Sequence, residues 1–276
     1  MATWLITGCS TGLGRALAES ALKAGHQVVL TARDPSSIAD LAAAYPETAL
    51  AERLDVTDKA RIGEVVEAAL ARFGQIDVLV NNAGYGYRAA VEEADDTDVH
   101  HLFATNVFGA VHLIQAVLPG MRERRSGTIL NISSIGARLT PSGSGFYSAT
   151  KAALEGITGS LRKEVAPLGI RAVVVEPGAF RTDFAGRSLT QSARAITDYA
   201  PTAGVRRKEN DKVHGTQPGD PVLAARALLA VADSDDPPAL LLLGNDALQA
   251  YTAGRDALDT DVQNWRAVSA GTDLVG

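Results

Sequence analysis

The chain has 276 residues, 46% hydrophobic and 21% charged, with a formal net charge of −6. That suits a globular protein able to bury one large core or two small ones, and the short basic runs Arg122–Arg125 and Arg206–Lys208 read as solvated ends, not a nucleic-acid surface. The lone cysteine, Cys9, excludes an intrachain disulfide and fits a reducing cytoplasm, where it reads as a small spacer in a loop.

Met1 to Gly8 enters a strand at once, without the basic segment and long apolar core of a signal peptide. No apolar stretch approaches the roughly 20 residues that span a bilayer, so the expectation is a cytoplasmic protein with no membrane span. Short runs rich in Val, Ile and Leu predict strands at Trp4–Thr7, Gln27–Thr31, Ala49–Leu54, Val78–Val80, Gly127–Ile132, Arg171–Glu176 and Ala239–Leu243. Their lack of polar alternation is that of strands covered on both faces. Helical patterns lie between them at Leu13–Ala24, Ile38–Ala44, Lys59–Phe73, Val99–Met121, Ser144–Leu168 and Val222–Val231. The alternation predicts an α/β, Rossmann-type doubly wound seven-stranded parallel sheet with helices on both faces, in a single domain from 1 to 276. Two regions break the rhythm. Asp183 to Gly219 is polar, shows no convincing strand and follows a strand's carboxyl end, which predicts a substrate-covering insertion. His214 within it reads as solvent-facing. The tail from Asp246 to Trp265, part of an extension reaching residue 270, has helical spacing and is expected to pack on the domain edge or a partner subunit.

The first strand runs into Thr7-Gly8-Cys9-Ser10-Thr11-Gly12-Leu13-Gly14 and then a helix. Glycines allow a tight turn and close approach to a diphosphate, while the helix N-terminus offers N–H groups and a positive dipole end. This assigns Gly8, Ser10, Thr11, Gly12, Leu13 and Gly14 to a dinucleotide. The second strand ends at Ala32-Arg33 where NAD sites carry an acid; the missing carboxylate removes repulsion of a 2′-phosphate and the guanidinium attracts it. NADP(H) is therefore favoured over NAD(H). Asp55 and Val56 follow the third strand, where a carboxylate can accept from an adenine amine. Asn81-Asn82-Ala83-Gly84 follows the fourth, where small residues leave room for the cofactor. Tyr147 and Lys151 stand one helical turn apart, so an ammonium lies near a phenol, favours the phenolate and makes the Tyr a usable proton donor and acceptor. His100 and His101 diverge on a helix and are not read as metal ligands.

In order along the chain, Thr7-Gly8-x-x-x-Gly12-x-Gly14, Asp55, Asn81-Asn82-Ala83-Gly84, Asn106, Ser134, Tyr147-x-x-x-Lys151 and Pro177-Gly178 with Thr182 resemble the classical short-chain dehydrogenases/reductases. The resemblance is dense over residues 3 to 182 and reaches Leu243; its layout is most similar to the branch with 17β-hydroxysteroid and retinol dehydrogenases. It implies metal-free direct hydride transfer, with Tyr147 as general acid in ketone reduction and general base in alcohol oxidation. Ser134 would bond the same oxygen, alternation turning its neighbour Ser133 away. Lys151 would also bind the nicotinamide ribose. Asn106, an unfavourable helix residue, would disturb its helix and hold a proton-passing water. Pro177, Gly178, Phe180 and Thr182 would lie under the nicotinamide. A small carbonyl or alcohol is the expected partner, and Tyr85, Tyr87, Leu139, Phe146, Phe180 and Phe184 suit a hydrophobic one. The family's usual homodimer or homotetramer is expected. An acyl-carrier ketoreductase served by the basic runs, or an NADP(H)-binding regulator without turnover, are the alternatives.

Overall fold

The computed structural model describes residues 1–274 except 183, 185, 187 and 214, and gives the backbone alone for 209–213. Asp183 and His214 therefore lie outside the described residues. Seven strands form one parallel sheet: β1 (Thr3–Ile6), β2 (Gln27–Ala32), β3 (Ala49–Arg53), β4 (Val78–Asn81), β6 (Gly127–Ile132), β7 (Ile170–Pro177) and β9 (Leu240–Leu243). Their order is β3-β2-β1-β4-β6-β7-β9, so strand order reverses between β1 and β4. In open parallel sheets the ligand crevice opens at that point, beyond the strands' carboxyl ends.

Alternate side chains of each strand feed two separate cores. Trp4, Ile6, Val28 and Leu30 pack with Leu17 and Ala21 of α1 (Gly12–Lys23) and Leu228 of α9 (Pro221–Ala232). Leu5, Val29 and Leu79 face the other way, against α3 (Lys59–Phe73), α5 (Gly109–Arg124) and α7 (Gly145–Val165). Each such buried aliphatic side chain contributes roughly 1.5–3 kcal/mol. A short helix, α2 (Ala39–Ala44), joins β2 to β3.

The helix predicted at Val99–Met121 is longer and interrupted. It comprises α4 (Asp96–Phe103), one π-turn at Ala104–Phe108 and α5. By length and composition alone Asp96–Arg124 could cross a membrane. Its apolar residues Leu113, Ile114, Val117 and Met121 instead fill the second core.

The insertion departs from its expected lack of strand. β8 (Leu189–Gln191) pairs in parallel with β5 (Gly86–Arg88), forming a two-stranded sheet above the main one, and α8 (Ala203–Val213) follows. The segment is fastened by buried Glu93, whose carboxylate accepts from Ala90 N (2.9 Å), Ile196 N (2.8 Å) and Arg207 Nη2 (2.7 Å). After β9 come α10 (Asn245–Asn264) and α11 (Arg266–Ala270). The start of α10 touches β9 and α6 (Gly136–Leu139), with the Arg138 guanidinium 5.2 Å over the Tyr251 ring. Beyond that, Leu258, Val262, Trp265 and Val268 are exposed.

Candidate active site

A cavity of about 1150 Å³ opens along the carboxyl ends of the main strands and beneath the β5–β8 pair. Gly8, Ser10, Thr11, Gly12, Leu13, Arg33, Asp55, Val56, Asn82, Ala83, Gly84, Ser134, Tyr147, Lys151, Pro177, Gly178, Phe180 and Thr182 all line it. Of the residues expected to hold the cofactor or act in the reaction, Gly14 and Asn106 do not.

At one end the loop after β1 makes the cradle that a diphosphate needs. Gly8 and Gly12 hold φ of +72° and +61°, the left-handed region that favours glycine. Gly14 is packed inside the loop: a Cβ there would stand 2.4 Å from Gly8 O and from Asn82 Nδ2, which corrects its assignment from ligand contact to loop closure. Asn82 Nδ2 donates to Thr7 O at 2.8 Å, and Thr7 Oγ1 accepts from both Asn82 N and Ala83 N at 2.9 Å. Thr7 was not singled out as a brace; a hydroxyl at a strand end beside the glycines is the signal for it. Asp58, Asp95 and Asp220 cap α3, α4 and α9, whereas Thr11 caps no N–H of α1 with its side chain. The first-turn N–H groups and positive dipole end of α1 thus face the cavity.

Arg33 stands exposed at the end of β2 and Asp55 beyond β3. Burial raises the Asp55 carboxyl, but bonds from Thr57 N (3.0 Å) and Thr57 Oγ1 (2.7 Å) to Oδ1 outweigh it, helped by Arg33 and Arg53. The carboxyl is lowered overall, and Oδ2 is left for an adenine amine. Cys9 lies buried behind the loop with its thiol pushed up to about 12 by burial, as inert as a spacer should be.

The other end holds Ser134, Tyr147 and Lys151. Tyr147 and Lys151 project from one face of α7, with Nζ 5.8 Å from the phenol's ring centroid and donating to Ile132 O at 2.8 Å. Ser134 Oγ accepts from Gly136 N at 3.0 Å and lines the cavity with Tyr147, while Ser133 Oγ donates to Glu155 at 2.6 Å, on the opposite side as alternation requires. Burial raises the Tyr147 phenol above its ordinary value, with Ser134 and the charge of Arg88 pulling down against it. The expectation that the ammonium lowers the phenol does not hold in this arrangement: desolvation outweighs every nearby charge. Lys151 is itself pushed down to about 8 by burial, opposed by Glu155.

Asn106 sits in the π-turn, as an interrupted helix requires, but behind the cavity wall. Its Oδ1 accepts from Tyr85 N (3.1 Å), and Nδ2 donates to Tyr85 O (2.9 Å) and Thr150 Oγ1 (3.2 Å). Both amide protons are used, so the side chain braces the wall and α7; a water would need its main chain. Of the apolar residues expected round a substrate, Tyr85, Leu139, Phe180 and Phe184 line the cavity, the Phe184 ring 5.7 Å from that of Tyr147. Tyr87 and Phe146 pack with Ala89 and Leu102 instead. Arg88, Ser144, Ser148 and Arg206 complete this end and were not foreseen, since no motif marks them.

Arg122–Arg125 closes α5 at the amino end of the strands, opposite the cavity, where Arg124 bonds Ile76 O and Arg125 bonds Pro167 O. A half-buried Ser with a buried Tyr and Lys beside a phosphate cradle can hold a carbonyl oxygen and pass it a proton while a dinucleotide lies alongside.

Comparisons with known proteins agree with that chemistry. Oxidoreductase BOA17 of Botryotinia fuckeliana (strain B05.10) is 38% identical over 267 residues, 96% of this chain and 97% of the relative. The crystal structure of a short-chain dehydrogenase from Streptomyces avermitilis matches with a TM-score of 0.92 at 45% identity, covering 99% of this chain and 100% of that one. ElxO with NADP bound matches with a TM-score of 0.74 at 26% identity, covering 90% and 99%. The short chain dehydrogenase model matches residues 2–193, and with the cradle, the Ser134–Tyr147–Lys151 group and these full-length relatives it places the chain in the short-chain dehydrogenase/reductase family of oxidoreductases.

Proposed function

We propose that this oxidoreductase is NADP(H)-dependent, reducing a ketone or aldehyde or oxidising the corresponding secondary alcohol. The observation that carries the reading is the convergence of Ser134, Tyr147 and Lys151 on one end of a cavity whose other end is the glycine cradle and Arg33. The cradle fits a dinucleotide because a Cβ at Gly14 would collide with the loop, and because α1 starts without a side-chain cap. When bound, the nicotinamide supplies or accepts the hydride.

The chain's own residues do the rest. Arg33 and the N-terminus of α1 bind the phosphates, and Arg33 favours the 2′-phosphate form. Ser134 Oγ donates to the carbonyl oxygen and fixes it beside Tyr147, whose phenol transfers its proton to that oxygen as the carbonyl carbon gains hydride. In the reverse direction the same oxygen returns the proton. Lys151 holds the ribose hydroxyls, and Asn106 keeps α7 in register through Thr150. Leu139 and Phe184 offer an apolar wall to the body of the substrate and keep water from the phenol. Arg122–Arg125 lies at the amino end of the strands, away from the cavity, which supports a small-molecule substrate over an acidic carrier. Self-association, usual for the family, is supported here by the exposed apolar side of α10 and α11.

Tyr147→Phe tests the core of this reading. It should bind NADPH as the parent does in a fluorescence titration yet reduce carbonyl substrates at least about 100-fold more slowly, the low end of a general acid's contribution. Unchanged turnover would remove Tyr147 from the mechanism.

A further inference from the structure

Outside the cavity lining, a cluster of charged side chains gathers one helical turn from Lys151. Glu155 follows Lys151 by four residues on α7 and so stands on the same face. Its Oε1 accepts from Ser133 Oγ at 2.6 Å, and that hydroxyl lies 3.5 Å from Lys151 O. Its Oε2 accepts from Arg138 Nη2 at 3.3 Å. Arg138 Nε donates to both oxygens of the wholly buried Glu176, at 2.8 and 2.9 Å, with the guanidinium lying over the Tyr251 ring of α10. One guanidinium balances one carboxylate, and Glu176 holds it by the shorter bonds. Glu155 is left with a neutral hydroxyl and a long contact, so an ionised Glu155 finds its balancing charge in the buried Lys151 ammonium. Among the described residues Glu155 is also the group whose charge reaches Lys151, whereas Arg88, from β5, acts on Tyr147.

We propose that Glu155 is a positioning residue whose carboxylate holds the proton on Lys151, with Ser133, Arg138, Glu176 and Tyr251 fixing that carboxylate in place. The inference rests on the reading above in which the Lys151 ammonium holds the ribose hydroxyls of the cofactor. Burial pushes Lys151 down to about 8, and the Glu155 charge opposes that fall. Burial pushes Glu155 up to about 7, against the Ser133 bond, with Glu176 raising it further and Arg138 lowering it. Glu155 therefore becomes an anion just below the pH at which Lys151 loses its proton, and delays that loss. The chain thus keeps a charged donor ready for the ribose at a higher pH than burial alone would allow. Glu155 touches no part of the cavity itself, so it acts only through Lys151.

The test is the dissociation constant of NADPH from the full chain, followed by fluorescence titration from about pH 6 to pH 9.5 in the parent and in Glu155→Gln. Gln has the shape of a protonated Glu and can take the Ser133 bond, so the variant should fold. Well below 7 both chains carry a neutral group at this position, and their constants should coincide. Above 8 the variant should bind NADPH more weakly, by up to about tenfold, the change in ammonium fraction that a one-unit fall at Lys151 gives. A fall of that order follows from charges one turn apart at the effective dielectric of a protein site. The 2′-phosphate and Arg33 titrate alike in both chains and cancel in the ratio. Glu155→Asp, which keeps the charge at shorter reach, should recover part of the difference. A Glu155→Gln chain weakened equally at every pH would make Glu155 a structural tie, and constants that coincide throughout would leave its charge without effect on Lys151. Either result overturns the proposal, and the reductase reading still stands if Tyr147→Phe has lost its turnover. Retained turnover in Tyr147→Phe, with the alkaline weakening of Glu155→Gln observed, would instead overturn the reductase reading and support the coupling of Glu155 to Lys151.

Discussion

The proposed preference for NADP(H) rests on a single side chain, Arg33. It sits exposed where β2 ends, on the cavity rim, close enough to Asp55 for its charge to help hold that carboxyl down. Replacing it with a carboxylate turns attraction for a 2′-phosphate into repulsion, while NADH has no group there to lose. Arg33→Asp should weaken NADPH binding by about 10- to 100-fold, the range of a charge-assisted pair, and move the kcat/KM ratio toward NADH. An unchanged ratio would refute the phosphate role. Glu155, one turn beyond Lys151, makes a second residue-level case. Burial first, and Glu176 beside it, raise its carboxyl from 4.5 to about 7, against Ser133 and Arg138. The folded chain therefore holds a proton on Glu155 between those values that the unfolded chain releases. This contribution to stability is present below 4.5 and lost as pH rises through 7. Lys151, lowered to about 8, has the opposite slope in a separate window: the unfolded chain holds its proton longer, so stability rises with pH above 8. Glu155→Gln, which keeps the neutral form at every pH, should remove the fall between 4.5 and 7 in urea unfolding and leave the rise above 8.

At the scale of elements, all seven sheet strands could be read from the sequence because both of their faces are covered and they show as unbroken apolar runs. The Ser134–Tyr147–Lys151 cluster was readable for another reason: Tyr147 and Lys151 share one helix face, and Ser134 closes the loop beyond a strand. What escaped was held by other forces. β5 and β8 are three residues each, with Gly86, Thr190 and Gln191 among them, too short and too polar to carry a period. α8 has no apolar stripe; the segment around it is held by charge, through Arg207 on Glu93, Ser192 O and Arg194 O. Arg88 escaped because its burial arises between segments far apart in the chain, with Ser144 at the start of α7 as a partner. Asn106 announced its interrupted helix correctly but not its partners, since Tyr85 comes from a different part of the chain. The Glu93–Arg207 pair lends itself to a test of this element. Glu93 is lowered although burial raises it, because Ile196 N, Ala90 N and Arg207 all bond the ionised form. Removing one partner of such a buried pair costs about 3–5 kcal/mol. Arg207→Met should therefore speed proteolytic cleavage within 183–219 and raise substrate KM, with NADPH affinity held by the separate cradle. Equal protection in the variant and the parent would show that β5–β8 pairing alone secures the segment.

Taken whole, the molecule separates its tasks by position. The two cores lie on either side of the sheet, the site runs along one end of it, and the C-terminal helices leave the body beyond Tyr251. Leu248, Leu258, Val262 and Trp265 recur at helical spacing on α10 and its end, and they are between 50% and 65% exposed. A row that long and apolar has no place in a helix that faces only water, and nothing in either core depends on its outer half. The body and the tail should therefore separate under mutation. Changing Leu258, Val262 and Trp265 together to Gln should leave the melting temperature of the body within a few degrees, because these side chains are exposed and surface changes shift stability by about 0.5 kcal/mol or less each. The same change should lower the assembly state in sedimentation velocity if α10 carries self-association. A parent chain that sediments as a monomer at micromolar concentration would end that role for the tail. Loss of assembly together with a large drop in melting temperature would mean that the body depends on its partner, as in dimers whose protomers are not stable alone.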